Sequence, residues 1–99
     1  MSNKISLPRL YPILDTSCFS GTEALIEAAQ QLAAAGVQIL QYRNKSGDAA
    51  RMLIEARELR QRILFSDRGE TVTLIMNDRA DLCLAADFEG VHVGQDDLS

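Results

Sequence analysis

Polar side chains in this chain collect where short apolar runs stop. Asp15 closes LYPIL, Gln41, Arg43 and Lys45 occupy the end of VQILQY and the residues after it, Asn77 and Asp78 follow TVTLIM, and His92, Gln95 and Asp97 accompany the last run. In an extended segment, positions 41, 43 and 45 share one side. Gln41 supplies an uncharged amide, Arg43 a fork able to grip phosphate oxygens two at a time, and Lys45 a flexible point charge. Asp78 and Asp97 are hard oxygen donors that could share a Mg²⁺, an ion that keeps several waters and also touches substrate phosphate. Such a set is a diphosphate clamp with a metal, suited to stabilising a departing diphosphate. No Ser-His or Cys-His pattern for a side-chain nucleophile accompanies it.

Each residue also has a plainer reading. Arg43 and Lys45 could belong to a solvated loop. Asp78 could cap a helix by reaching the amide of Asp81, a role compatible with metal binding. His92 could be a satisfied core histidine, and its spacing from Asp97 matches no zinc motif. Gly90 and Gly94 could simply be bend residues. The functional reading draws its weight from polar groups standing at four separate strand ends.

The elements that must position these groups are legible as alternating periods. Residues 1–8 read as a tail, and Leu10 to Leu14 as a first strand, with Pro12 an interruption that a central strand tolerates poorly. A loop from Thr16 to Gly21 leads into a helix reaching about Ala35, with Ser20 and Glu23 spaced as a capping box. Leu25, Ala28, Ala29, Leu32 and Ala33 form its apolar face, and Gly36 marks its stop. A second strand follows from Val37 to Tyr42. A second helix, capped by Asp48, runs from about Ala49 to Phe65 with Leu53, Ala56, Leu59, Arg60 and Ile63 along its stripe. A turn from Ser66 to Glu70 precedes a third strand, Thr71 to Met76. A short helix, roughly Ala80 to Ala86, and a fourth strand, Gly90 to Val93, complete the order β-α-β-α-β-α-β. That α/β alternation calls for parallel strands joined by right-handed crossovers, with all the listed strand ends on one carboxyl face. An open doubly wound sheet and a (β/α) barrel both fit, but the first βα loop lacks GxGxxG, which weakens the dinucleotide-binding form of the open sheet.

Composition narrows the function classes. With 99 residues the chain holds one domain at most, read here as a single partial barrel over 1–99. A net charge of -4 argues against a general nucleic-acid or anionic-membrane binder, while leaving room for small phosphorylated substrates. Cys18 and Cys83 lack CxxC spacing and read as reduced thiols. No apolar run approaches a membrane span, and MSNKISLPRL does not resemble a signal peptide, so a cytoplasmic protein is expected.

The runs VQILQYRNKSGD, IMNDRADLCLAAD and GVHVGQDDLS, with the opening LYPILD, resemble thiamine-phosphate synthase (thiamine-phosphate pyrophosphorylase) over residues 10–99. The combination of Q-x-R-x-K, N-D-R-x-D-L and G-V-H-x-G-Q-x-D-L is specific where each piece alone is weak. The resemblance implies the amino-terminal half of a (β/α)8 TIM barrel. It implies a transferase that couples hydroxymethylpyrimidine diphosphate to thiazole phosphate, giving thiamine phosphate and diphosphate. The implied mechanism is dissociative: diphosphate departs, a pyrimidine methylene cation forms, and the thiazole nitrogen captures it. Gln41, Arg43 and Lys45 match pyrimidine-diphosphate contacts, Arg43 and Lys45 also serving the catalytic step. Asn77 matches a substrate contact, His92 and Gln95 match motif residues on the same face, and Asp78 and Asp97 match ligands of the Mg²⁺ cofactor. Asn44 stands where the family often has glutamate and is expected to point away from the clamp with little effect.

The family barrel is about twice as long as this chain. The 99 residues are therefore expected to form a fragment with exposed edges beside its first and fourth strands, prone to self-association and inactive alone. A thiazole tautomerase on the same barrel is the alternative enzyme, although it has less need of the clamp and metal pair. A sugar-phosphate isomerase or epimerase would more commonly place its phosphate on later loops. An inactive half-barrel that merely binds phosphate ligands is the non-enzymatic alternative.

Overall fold

The strands are short, and each delivers its last residues to the same side of the molecule. A computed structural model describes residues 12–92. Its order is β1 (Ile13–Asp15), α1 (Thr22–Ala34), β2 (Ile39–Arg43), α2 (Ala49–Leu64), β3 (Thr73–Asn77), α3 (Ala80–Ala85) and β4 (Gly90–His92), with single 3₁₀ turns at Thr16–Cys18 and Gly69–Thr71. All three strand pairings are parallel, and the sheet order is β1-β2-β3-β4. A doubly wound sheet reverses direction at a switch point. Here each crossover advances by one strand in the same sense, which puts successive helices on one face. The result is a sector of a (β/α) barrel, consistent with the amino-terminal half of a (β/α)8 fold.

Residues alternate between the two faces of the sheet. Leu14, Leu40, Tyr42, Leu74 and Met76 are buried among Leu25, Ile26, Ala29, Ala33, Met52, Ala56, Leu59 and Ile63 of the helices. The intervening positions form registered rows on the other face. One row is Ile13, Gln41, Ile75 and Gly90; the next, at the carboxyl end, is Asp15 beside Arg43 and Asn77 beside His92. The charged row thus lies one step beyond a row in which Gln41 sits between Ile13 and Ile75.

Local chemistry explains the boundaries. Gly36, at φ 102°, follows the end of α1; its amide bonds to Ala33 and that of Val37 to Leu32, a Schellman closure. Asp48 caps α2 by accepting the amide of Arg51 at 3.1 Å. Pro12 precedes β1, and its carbonyl accepts the amide of Gln41 at 3.1 Å, so proline stands at the start of the strand, where it is tolerated, and not inside it.

Other expectations need correction. Gly21, with no side-chain cap bond, occupies the position before α1, so Ser20 and Glu23 form no capping box; Glu23 instead pairs with Arg62 at 2.7 Å. The third strand starts at Thr73, because residues 69–71 close a 3₁₀ turn in which Thr71 bonds the carbonyl of Arg68. The second strand starts at Ile39, since Val37 is engaged in the helix closure. Phe65 lies past the helix and is 81% exposed. Residues 10 and 11 of the first predicted strand, the 1–8 tail, and Val93, Gly94, Gln95 and Asp97 lie outside the described residues. Among the described residues, no helix is long and apolar enough to cross a membrane.

Candidate anion-binding site at the strand ends

Three side chains from one segment reach three neighbours. Gln41, only 1% exposed, accepts a 2.6 Å hydrogen bond through Oε1 from Nδ2 of Asn77 on β3. Arg43 Nη1 lies 3.3 Å from Asp15 Oδ2 at the end of β1. Lys45 Nζ lies 2.7 Å from Asp78 Oδ2 just past β3. The alternate spacing of 41, 43 and 45 therefore lays an amide and two cations across the carboxyl edge of three strands. The arginine and lysine side chains are 43% and 52% exposed, whereas their carboxylate partners are 24% and 25% exposed. The cations face solvent, and the anions sit behind them.

Asp78 occupies the left-handed region at φ 66°, uncommon for a non-glycine residue, while its amide donates to the carbonyl of His92 at 2.8 Å. Strand β4 thereby holds the turn that presents this carboxylate. The position before α3 belongs to Arg79, so the reading of Asp78 as that helix's first cap does not describe the geometry. His92 is exposed at the sheet end beside Asn77, which rules out a buried core histidine. Asn77 Oδ1 is buried and has no hydrogen-bond partner among the described residues, an acceptor that a donor group on a ligand would satisfy.

A cavity of about 190 Å³ opens here, lined by Asn44, Lys45, Gly47, Met52, Asn77, Asp78 and Arg79. A larger one, about 560 Å³, lies beside the start of α1 and the outer side of α2; Glu23, Glu55 and Glu58 outnumber Arg51 in its wall. That charge repels a diphosphate, so the smaller cavity is the better match to an anion.

Asp15 and Glu55 also take part, through contacts that no motif signals. Asp15 was visible as a strand-end carboxylate, but its grip on Arg43 depends on strand register. Two hydrogen bonds from Ser17, followed by the charges of Arg43 and Lys45, hold its carboxyl below the ordinary range. Glu55 lies mid-helix in no motif; it accepts from the Tyr42 hydroxyl at 2.5 Å and from Thr22 Oγ1 at 2.6 Å. The available clue was Tyr42, since a phenol buried in a strand requires a partner. Gln95 and Asp97 lie outside the described residues.

Helix-backed parallel strands with cations and carboxylates along one carboxyl edge define the class of (β/α)-barrel proteins that build ligand sites on their βα loops. Within it, the chain belongs to the thiamine monophosphate synthase family, whose profile matches residues 10–99. It is 50% identical over 102 residues to a thiamine-phosphate synthase of Koribacter versatilis, covering 100% of this chain and 46% of that protein. Similar proteins of the same name occur in Chloroflexus aurantiacus, at 44% identity with 91% of this chain and 39% of the relative covered, and in Agrobacterium fabrum, at 40% with 97% and 41% covered. The chain thus spans less than half the length of these curated relatives.

Proposed function

We propose that this chain carries the diphosphate side of a transferase site that joins hydroxymethylpyrimidine diphosphate to thiazole phosphate, forming thiamine phosphate and diphosphate. The carrying observation is the alternation of Gln41, Arg43 and Lys45 across the ends of β1, β2 and β3, in a chain of this family. Arg43 exchanges Asp15 for phosphate oxygens, and Lys45 swings from Asp78 to the same anion; both absorb the charge that grows on the leaving diphosphate. Gln41 and Asn77, bonded to each other, orient the pyrimidine end, with the buried Asn77 Oδ1 as acceptor. His92 and Gln95 complete the face.

Mg²⁺ fits the chemistry of this donor set. Among the described residues, no three His, Cys, Asp or Glu side chains converge. A Mg²⁺ that keeps waters and takes substrate phosphate needs only one or two carboxylates. Asp78 and Asp97 would hold it. When bound, the ion neutralises charge on the diphosphate. The reaction belongs in the cytoplasm.

The test is calorimetric titration of the full-length protein with hydroxymethylpyrimidine diphosphate in Mg²⁺, followed by a product assay with thiazole phosphate. Binding and thiamine phosphate formation are expected, both weakened by Asp78→Asn. A protein that binds neither substrate, or whose Asp78→Asn variant behaves as wild type, would overturn the assignment.

A further inference from the structure

The end of β2 and the β2–α2 loop, which carry Arg43 and Lys45 respectively, are fastened from beneath by a chain of side-chain bonds. Glu55, part-buried on α2, accepts from Thr22 Oγ1 at the start of α1 through Oε2 and from the Tyr42 hydroxyl through Oε1. Asn44 Nδ2 donates to the Tyr42 oxygen at 3.0 Å and lies 3.5 Å from Glu55 Oε1. At its other end, Asn44 Oδ1 accepts the amide of Ser46 at 2.9 Å; Ser46 Oγ then accepts the amide of Asp48, the cap of α2. Tyr42 is itself immobilised, fully buried with its ring edge-on to Phe88 at 6.2 Å between centroids.

Asn44 is the residue between Arg43 and Lys45. The two cations have largely solvent-facing side chains, each in an ion pair with a carboxylate of a neighbouring strand end, so their aim follows the backbone that Asn44 holds. The carboxylate accepts from two hydroxyls and one amide, and the amide nitrogen of Asn44 can only donate. A residue at 44 able only to accept would face Glu55 with like charge.

Resting on the diphosphate-transfer reading above, we infer that Glu55 is a positioning residue: through Tyr42 and Asn44 it sets the direction of Arg43 and Lys45 and so governs use of the pyrimidine diphosphate. Asn44 and Glu55 act as one matched donor–acceptor pair. Glu55 lies outside the lining of the smaller cavity, whose wall includes Asn44.

The test uses the full-length protein and the variants Glu55→Gln, Asn44→Glu and the double variant. Steady-state kinetics should show KM for the pyrimidine diphosphate raised about tenfold in each single variant, with KM for thiazole phosphate within about twofold of wild type. The double variant restores a donor and an acceptor in exchanged places and should recover most of the loss. Amide hydrogen exchange, read without substrate, should quicken at residues 43–46 in Glu55→Gln and return toward wild type in the double variant. Asn44→Ala, a change at a half-buried loop residue, serves where a Glu55 variant fails to fold, and should raise the same KM and the same exchange rates. Equal shifts in both KM values, unchanged exchange at 43–46, or a double variant no better than Asn44→Glu would overturn the inference. Quickened exchange in an otherwise inert protein would instead count against the transfer reaction, and would remove the kinetic role assigned to Glu55 with it.

Discussion

Arg43 and Asp15 form a half-exposed ion pair, and such pairs contribute about 0–1 kcal/mol. Exchanging the carboxylate for a phosphate that takes two parallel bonds is favourable. Replacing Arg43 with Ala should therefore cut kcat/KM for the pyrimidine diphosphate about a hundredfold, with binding of thiazole phosphate little changed. Initial-rate measurements with each substrate varied in turn would check this, and equal losses in both would count against the clamp. Asp15 gives a pH dependence of definite sign. Ser17 and then the two cations lower its carboxyl from the ordinary 3.8. The folded chain therefore holds that proton less tightly than the unfolded one, so the contribution is complete above the unfolded value and fades as pH falls through the lower folded one. Thermal melts of wild type and Asp15→Asn should differ at neutral pH and converge at strongly acid pH.

At the scale of elements, the strand–helix order was readable because the apolar period switches cleanly between strand and helix along the chain. Boundaries that depend on hydrogen-bond competition were not. Thr71 looks like a strand residue by type, but its hydroxyl and amide both bond the carbonyl of Arg68. Ser20 has the right spacing for a cap, yet Glu23 is drawn to Arg62 on the neighbouring helix, a contact invisible before α1 and α2 pack. The site was legible as strand-end polar residues; its internal wiring was not, since Glu55 enters only when α2 lies against β2. Gly69 is an element-level case of the same kind. It reads as an ordinary turn glycine, but a Cβ there would come within 1.5 Å of the Ile63 carbonyl oxygen. Gly69→Ala should destabilise the protein by about 3 kcal/mol, seen as a lowered denaturation midpoint with its slope unchanged. Tyr42 adds an alkaline limit. Burial, and next its bond to Glu55, raise the phenol above the ordinary 10.0. Folded Tyr42 keeps a proton that unfolded Tyr42 has lost, so stability should decline above that pH, and Tyr42→Phe should flatten the decline in pH-dependent melts.

At the scale of the molecule, the sheet's helix-covered face is packed, while its opposite face leaves apolar surface open among the described residues. Ile13, on that second face, is 51% exposed, and β1 and β4 stand at the two ends of the sheet order. Terminal strands carry unpaired backbone groups, and an apolar residue beside them invites pairing with another chain. The 99-residue polypeptide by itself should therefore associate, with a mass by light scattering above the 10.9 kDa of a single chain. Ile13→Lys places a charge on the β1 edge and should shift the population toward the single-chain mass. A well-folded monomer in the unaltered chain would contradict the exposed-edge argument, and association indifferent to Ile13→Lys would move the contact to another surface. The same polypeptide, mixed with both substrates and Mg²⁺, should yield no thiamine phosphate, because the residues assigned here grip the departing diphosphate and none of them is assigned to the incoming thiazole phosphate. Product formation by the polypeptide alone would mean that one face of this sheet, completed by a second copy of itself, serves both substrates.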